Sequence, residues 1–282
     1  MKVLRSIAEL RGWSRALRAA GGNTLGLVPT MGALHAGHAS LIDAARGSCT
    51  HVAVTLFVNP TQFGPEEDFA RYPRVFEADC ALAERAGADV LFAPAVEELY
   101  PHGAGSTFVE VPGLSERLDG ASRPGHFRGV ATVVAKLLIA GEPDRAFFGQ
   151  KDAAQVAVLR RMSADLHLGT EIVVCPIVRD TDGLALSSRN AYLTPGERRK
   201  ALLLHRTIRR IEALAAEGEH QAATLLAAAH ACFASEPEVR ADYIALVDGE
   251  TLEPVETAAP GTLFAVAAWV GTTRLIDNTI IG

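Results

Sequence analysis

The sequence predicts an α/β protein in which a Rossmann-like, mostly parallel sheet is followed by a smaller α+β region. Short apolar runs alternate with helical patterns through the first two-thirds of the 282 residues, which is typical of parallel strands joined by helices. This alternation stops near residue 177, and three strand-like runs then follow one another. We therefore expect two domains, residues 1–176 and residues 177–282, joined by a hinge.

In the first region, strands and helices are expected to alternate. "HVAVTLFV" at residues 51–58 is rich in β-branched residues, as a central strand should be, and Pro94 stops a later apolar run. Gly87 ends a helical pattern between them. The predicted strands are 24–29, 51–58, 88–94, 106–112, 144–149 and 170–176, and the predicted helices are 38–46, 76–87, 127–140 and 152–167.

In the second region, "LTPGERRK" at residues 193–200 opens a long helix. Thr194 is the predicted N-cap, Pro195 occupies the first helical position, and Glu197 completes a capping box. A second helix is expected at 222–231, and strands are expected at 242–248, 262–270 and 273–281.

The composition argues against several classes of protein. Hydrophobic residues make up 49% of the chain and the formal net charge is −6, which favours a soluble globular protein and disfavours a nucleic-acid surface. The longest apolar run, residues 129–141, contains Lys136 and is too short to span a membrane. The four cysteines are scattered without a CxxC pair, so we expect reduced thiols and a cytoplasmic protein.

Two histidines stand where the first predicted strand passes into the first predicted helix. In "LVPTMGALHAGH", His35 and His38 are three residues apart, so they fall on the first turn and can point at one anion. Ligands of parallel α/β sheets bind beyond the carboxyl ends of the strands. Neither glycine signature of nucleotide-binding loops is present, so the histidines would supply the donors instead. The alternative interpretation is a helix-capping loop with incidental histidines.

Two further stretches favour a small hydroxy acid or another anion as ligand. "FVNPTQF" follows the second strand and offers the side-chain amides of Asn59 and Gln62, although Asn-Pro also commonly opens a turn. "RPGHFRGV" provides Arg123 and His126, with Arg128 and Lys136 further along the same helix. The alternative for this second stretch is the charged surface of a helix start.

Two more polar stretches indicate phosphate binding. In "FGQKDAAQ", Lys151 can reach a phosphate, Asp152 can cap a helix or help to hold a metal, and Gln155 lies one turn further on. In "DGLALSSRN", two hydroxyls precede Arg189, and this combination can clamp a phosphate. A polar linker between the two domains is the alternative for this second stretch.

Taken in order, "PTMGALHAGH", "FVNPTQF", "RPGHFRGV", "FGQKD" and "DGLALSSRN" resemble the pantoate–β-alanine ligase (pantothenate synthetase) family. The resemblance spans essentially the whole chain. This family is part of the nucleotidyltransferases that resemble class I aminoacyl-tRNA synthetases and share the HxGH signature. The "LSSRN" segment looks like their mobile KMSKS loop.

The resemblance implies a ligase that uses ATP and Mg²⁺. Pantoate attacks the α-phosphate of ATP, and β-alanine then attacks the pantoyl adenylate to give pantothenate and AMP. The resemblance also implies a homodimer, and it assigns Gln62 and Gln155 to pantoate, with Gln62 also near β-alanine. The implied ATP site comprises Met31, Gly32, His35, His38, Gly149, Gln150, Lys151, Asp152, Val178, Leu186, Ser187, Ser188 and Arg189.

The expected chemistry is stabilisation of the negative charge that develops on the phosphate during adenylation. His35, His38, Lys151, Ser187 and Arg189 would be its donors. The resemblance assigns His38 as proton donor, but a carboxylate nucleophile needs no base, so we favour charge stabilisation. Metal ligands are not evident from the sequence.

One departure from the family pattern concerns pantoate. Ala153 and Ala154 replace an aromatic residue and a glutamine before Gln155, which predicts looser packing beside the substrate. Two other functions share part of this pattern: a nucleotidyltransferase that stops after joining a nucleotide to a phosphorylated acceptor, and a non-catalytic nucleotide-binding regulator. Release of AMP with an amide product would exclude the first.

Overall fold

A six-stranded parallel sheet forms the larger part of the chain. The computed structural model describes residues 1–65, 67–103 and 105–282. The strands lie in the order β1-β4-β3-β2-β5-β6, so the α/β prediction is confirmed. Their bounds are β1 Lys2–Leu4, β2 Leu25–Thr30, β3 His51–Leu56, β4 Val90–Phe92, β5 Arg145–Gly149 and β6 Glu171–Cys175.

Helices cover both faces of this sheet, as expected for parallel strands buried on both sides. The central strands are almost fully apolar: β2, β3 and β4 bury nearly every residue. The apolar helix α6 packs its buried residues on one face, and α2 packs on the other. The helices of this region are α1 Ile7–Ala19, α2 Ala36–Ser48, α3 Phe76–Arg85, α4 Val96–Leu99, α5 Asp119–Ser122, α6 His126–Gly141 and α7 Ala153–Asp165.

A separate antiparallel sheet of three strands follows, in the order β7-β8-β9. Two helices pack against it around a core of its own. The first of them begins with the predicted capping box, in which Glu197 N–H donates to Thr194 Oγ1. The bounds are α8 Pro195–Ala216, α9 Ala222–Ala234, β7 Val239–Asp248, β8 Thr262–Val270 and β9 Thr273–Ile281.

The predicted strand at 106–112 is wrong, because these residues, all of them described, adopt no strand. Their backbone N–H groups form hydrogen bonds to side-chain hydroxyls and not to a neighbouring strand. Val109 N–H donates to Thr132 Oγ1 on α6 at 2.9 Å, and Val111 N–H faces Ser115 Oγ. Strand β1 and helix α1 were not predicted, because charged residues interrupt the apolar pattern at residues 1–19.

The carboxyl ends of β2, β3, β5 and β6 bring four loops together at one edge of the sheet. These loops begin after Thr30, Leu56, Gly149 and Cys175. The antiparallel sheet borders the same edge, because Asn278 of β9 donates to the carbonyl oxygens of Gln150 and Lys151 in the turn after β5. Among the described residues, no helix is both long and apolar enough to cross a membrane.

Candidate active site

A cavity of about 240 Å³ opens at this edge of the sheet. Most of the predicted site residues line it, although they come from five separate stretches of sequence. Gly32, Asn59 and Gln150 are the exceptions and do not line the cavity. The predicted residues on the wall are Met31, His35, His38, Gln62, Arg123, His126, Gly149, Lys151, Asp152, Gln155, Val178, Leu186, Ser187, Ser188 and Arg189.

The rings of the two histidines lie against each other at the start of α2, tilted by 42°. Their ring centroids are 4.1 Å apart. His35 Nδ1 accepts a hydrogen bond from Gly37 N–H at 3.1 Å, and His38 Nδ1 accepts from His35 N–H at 3.2 Å. Because backbone N–H groups only donate, both Nδ1 atoms are unprotonated and each ring carries its proton on Nε2. The capping interpretation is therefore compatible with a ligand-binding one.

Glycine at position 37 is required by this arrangement. A Cβ there would lie 2.9 Å from His35 Cε1, which is closer than packed carbon atoms approach. Any larger residue would displace the His35 ring from the helix terminus. The second glycine of the "GALHAGH" stretch therefore makes room for the first histidine.

Both imidazoles are neutral near physiological pH. Burial lowers the pKa of His38 to about 3, and the neighbouring His35 and Lys151 add to this effect. Burial, followed by the Lys151 charge, lowers the pKa of His35 to about 4. The pair can therefore donate two Nε2–H hydrogen bonds but carries no excess proton.

Asp79 of α3 holds the loop that carries these histidines. It is 3% exposed, and its carboxylate accepts hydrogen bonds from Ala33 N–H at 3.0 Å and Leu34 N–H at 2.7 Å. Ala33 has φ 50°, a left-handed conformation that is unfavourable for a residue with a side chain. Burial raises the pKa of Asp79, while the two backbone hydrogen bonds oppose that rise.

Gln62 reaches the cavity from the short 3₁₀ turn after β3, Pro60–Gln62. Asn59, predicted to bind substrate, is 1% exposed and stands behind Gln62. The Asn59 Nδ2 donates to Gln62 Oε1 and to the carbonyl oxygen of Gly129, both at 3.1 Å. Asn59 therefore supports Gln62 from inside the protein.

Arg123 and His126 fix the backbone of the same turn. His126 Nδ1 lies 2.8 Å from the Gln62 carbonyl oxygen, and its Nε2 lies 3.0 Å from Arg123 Nη1. Because a guanidinium only donates and a carbonyl only accepts, His126 is neutral with its proton on Nδ1. Burial and the Arg123 charge lower the His126 pKa to about 4. Arg123 itself pairs with Glu67 through two hydrogen bonds.

Arg128 and Lys136, the other two cations of the stretch around α6, face aromatic rings. Arg128 lies over the Phe108 ring, 4.6 Å from its centroid. Lys136 lies over the Tyr100 ring at 5.2 Å. Both side chains thus stabilise the packing of α6 and lie outside the cavity.

The turn after β5 presents Lys151 to the cavity, with its Nζ 3.1 Å from Asp152 Oδ1. Strand β9 holds this turn from behind. Asn278 Nδ2 donates to the carbonyl oxygens of Gln150 and Lys151, and Gln150 Nε2 donates to Asn278 Oδ1. The Gln150 side chain thus points toward β9, whereas Gln155 lines the cavity.

The "LSSRN" segment closes one side of the cavity and is tied to the turn at residues 68–72. Arg189 makes a two-pronged contact with Asp68, with Nη2–Oδ1 at 2.9 Å and Nε–Oδ2 at 3.1 Å. Burial opposes ionisation of Asp68, yet the hydrogen bonds and charge of Arg189 lower its pKa. Tyr72 Oη lies 3.4 Å from Ser188 Oγ.

This geometry can be compared with that of known proteins. The sequence model for pantoate–β-alanine ligase matches residues 2–280. The chain belongs to this family. The resemblance drawn from the five motifs is thereby confirmed.

Relatives in the family match along the whole chain. A pantothenate synthetase of Acidobacterium capsulatum is 58% identical over 292 residues, covering 100% of this chain and 97% of the relative. The crystal structure of pantothenate synthetase from Thermus thermophilus has a TM-score of 0.93 at 46% identity and covers 100% of this chain and 99% of that one. A pantoate–β-alanine ligase from Francisella tularensis, complexed with beta-gamma ATP and β-alanine, has a TM-score of 0.81 at 32% identity and covers 99% and 97% of the two chains.

Sequence reasoning missed the acidic and phenolic residues that support this ligase site. Asp68 and Tyr72 lie in the segment after "FVNPTQF" and contact Arg189 and Ser188. An acidic residue such as Asp68, in a chain whose predicted site is rich in cations, was a signal that could have identified this partner. Asp79 gave no such signal, because it sits within an ordinary helical pattern. Only the folded chain shows that its carboxylate meets the loop of the histidines.

Proposed function

We propose that this chain condenses (R)-pantoate with β-alanine to give pantothenate, converting ATP to AMP and pyrophosphate. The observation that carries the proposal is the convergence of two neutral histidine donors, Lys151 and two glutamines on one cavity. The paired donors suit a phosphate, and the glutamines suit a hydroxy acid. Pantoyl adenylate is the intermediate expected of this family.

In the first step, a carboxylate oxygen of pantoate forms a bond to the α-phosphorus of ATP, and the bond to pyrophosphate breaks. The charge that develops on the phosphate oxygens is stabilised by the Nε2–H groups of His35 and His38, with Lys151, Ser187 and Arg189 as further donors. Preorganised donors of this kind typically contribute about 3–4 kcal/mol each to the transition state. No group in this set needs to move a proton.

The low pKa values of the histidines favour this role over proton donation. A histidine with a pKa of about 3 or 4 carries no transferable excess proton at neutral pH. Its Nε2–H nevertheless remains a hydrogen-bond donor. His38 is therefore assigned to charge stabilisation and not to acid catalysis.

Mg²⁺ is proposed to enter with ATP. Lys151, Arg123 and Arg189 each have a carboxylate partner within 3.1 Å, so the site offers little uncompensated positive charge to the triphosphate. Among residues 1–65, 67–103 and 105–282, no three His, Cys, Asp or Glu side chains are grouped to hold a metal. This fits a magnesium ion held mainly by phosphates and water, with the Asp152 carboxylate on the cavity wall available to it. When bound, the ion neutralises phosphate charge.

In the second step, the amine of β-alanine bonds to the acyl carbon and AMP leaves. The adenylate must be shielded from water until then. We propose that residues 177–282 act as the lid, with "LSSRN" closing over ATP and Gln62 contacting both pantoate and β-alanine. The Arg189–Asp68 and Arg274–Asp119 pairs join the two regions across the cleft and support this proposal.

The test is pyrophosphate release with ATP, Mg²⁺ and pantoate, with and without β-alanine. A burst stoichiometric with the enzyme in the absence of β-alanine, followed by turnover to AMP and pantothenate once it is added, is expected. The absence of pantoate-dependent pyrophosphate would refute the proposal. Transfer of the nucleotide to a phosphorylated acceptor would indicate a nucleotidyltransferase instead.

Two further properties belong to this proposal: a homodimer, which the family resemblance implies, and a cytoplasmic location, which the scattered cysteines predict. The homodimer would form through the larger domain, residues 1–176. A cytoplasmic location agrees with the four free cysteines, Cys49, Cys80, Cys175 and Cys232. Sedimentation at several concentrations tests the first property.

A further inference from the structure

A row of buried side chains connects the Tyr100 hydroxyl with the Gln62 amide. Tyr100 follows α4 and is 6% exposed. Its hydroxyl donates to Asn59 Oδ1 at 2.8 Å, and Asn59 Nδ2 donates to Gln62 Oε1 at 3.1 Å. Gln62 is the member of the row that reaches the cavity.

Backbone groups decide which end of the Asn59 amide is oxygen. The Thr61 N–H can only donate, and it faces one end at 3.3 Å. The carbonyl of Gly129 can only accept, and it faces the other end at 3.1 Å. The assignment of Oδ1 and Nδ2 therefore follows from partners of unambiguous polarity.

The orientation of the Gln62 amide follows from that of Asn59. Because Asn59 Nδ2 donates, the atom of Gln62 that faces it is the acceptor Oε1. The Nε2 group of Gln62 is then directed away from Asn59, and it lies 2.9 Å from Met31 Sδ on the cavity wall. One N–H of Gln62 Nε2 is thus directed to Met31 Sδ, and the second is left as a hydrogen-bond donor for a ligand.

Close packing leaves Gln62 little freedom to adopt another position. A Cβ on Gly129 would lie 2.7 Å from Gln62 Cα and even closer to the Thr61 carbonyl, so α6 touches the backbone of this turn directly. The Tyr100 ring is held between Phe57, at 6.2 Å between centroids, and Lys136. The hydroxyl therefore approaches Asn59 from a fixed direction.

We propose that Tyr100, acting through Asn59, is a positioning residue that holds the Gln62 amide with its N–H groups toward pantoate. The inference rests on the proposed function. Donors at this place match the carboxylate or hydroxyl oxygens of pantoate. They also disfavour the corresponding carboxamide, whose NH₂ group would meet another donor.

The test compares Tyr100→Phe and Asn59→Asp with the unmodified protein in steady-state pyrophosphate release. Tyr100→Phe removes one donor from Asn59 while Thr61 still supports it, so the KM for pantoate should rise about fivefold. Asn59→Asp places an oxygen opposite Gln62 Oε1 and turns the amide around. The KM for pantoate should then rise on the order of 100-fold.

The ratio of the KM for pantoate to the KM for ATP separates a positioning role from a general disturbance of the fold. In both variants the KM for ATP should stay within about threefold, because the ATP donors lie elsewhere. Tyr243→Phe is the matched control, since it removes a partly buried tyrosine hydroxyl that donates to Asp119 at 3.2 Å, and it should leave the KM for pantoate unchanged.

Two results would overturn the inference. One is an equal rise of the KM values for pantoate and ATP; the other is an unchanged KM for pantoate in a folded Tyr100→Phe protein. If Asn59→Asp does not fold, as judged by circular dichroism, Tyr100→Phe alone decides. An unmodified protein that releases no pantoate-dependent pyrophosphate would instead refute the proposed function, so the two failures are distinguishable.

Discussion

Asp79→Asn should weaken catalysis although Asp79 does not line the cavity. The carboxylate accepts two backbone hydrogen bonds and thereby holds Ala33 in its left-handed conformation, two residues before His35. Charge-assisted hydrogen bonds contribute about 1.5–3 kcal/mol each. The single oxygen of an asparagine can accept only one of the two bonds, as a neutral hydrogen bond of about 1 kcal/mol. Because asparagine also relieves the burial of a charge, we expect a net loss of about 1–3 kcal/mol in loop stability.

The assay is kcat/KM for ATP in pantoate-dependent pyrophosphate release. If the loop must be in place for His35 and His38 to donate, a loss of about 1–3 kcal/mol corresponds to a decrease of about 5- to 150-fold. Glu77→Gln is the control, because Glu77 is an exposed acid in the first turn of the same helix. A folded Asp79→Asn protein whose kcat/KM stays within about twofold of the Glu77→Gln value would refute the reasoning.

Three other changes test separate parts of the site. Gly129→Ala should lower the unfolding free energy by about 1–3 kcal/mol in urea titration, because α6 touches backbone there; Gly12→Ala, with open space around it, should not. The pKa values of His35 and His38 lie below the usual 6.5, so the unfolded state binds more protons below pH 6.5. The unfolding free energy should therefore fall as the pH drops from 6.5 toward 4. In a variant that carries both His35→Gln and His38→Gln, it should fall less steeply with pH. Arg189→Lys should lower kcat/KM for ATP about tenfold, because lysine lacks the planar guanidinium that forms two parallel hydrogen bonds. Rates of pyrophosphate release measured across ATP concentrations test this.

The sequence was sufficient for five of the six strands of the parallel sheet, β2 to β6, because the apolar pattern of these strands is strong. Strands β2 and β3 are buried over nearly their whole length. The wrong strand prediction has a physical cause: a local sequence pattern does not reveal which groups form hydrogen bonds with a segment. Residues 106–112 have the apolar spacing of a strand, yet Thr132 of α6 takes the place of a strand neighbour.

The candidate site could be predicted as a set of residues but not as a set of contacts. Motif order brought His35, Lys151 and Arg189 to the same edge of the sheet, and the structure places all three on one cavity. The sequence could not reveal that Asn59 stands behind Gln62, because a side chain's direction in a turn depends on tertiary packing. Pairing of Asp68 with Arg189 spans 121 positions, well beyond the range of any local pattern.

The bonds between Asn278 and the Lys151 turn have a consequence for biogenesis. These partners lie 128 and 127 positions apart, so β9 leaves the ribosome long after the turn it supports. At about 5–20 residues per second, the delay is roughly ten seconds. Once β6 has followed, all six strands of the parallel sheet are present, but for the rest of that interval the turn lacks its hydrogen bonds with the Asn278 carboxamide. A nascent chain should therefore acquire firm nucleotide binding only when both sheets have folded and docked, which makes ATP retention a marker of assembly.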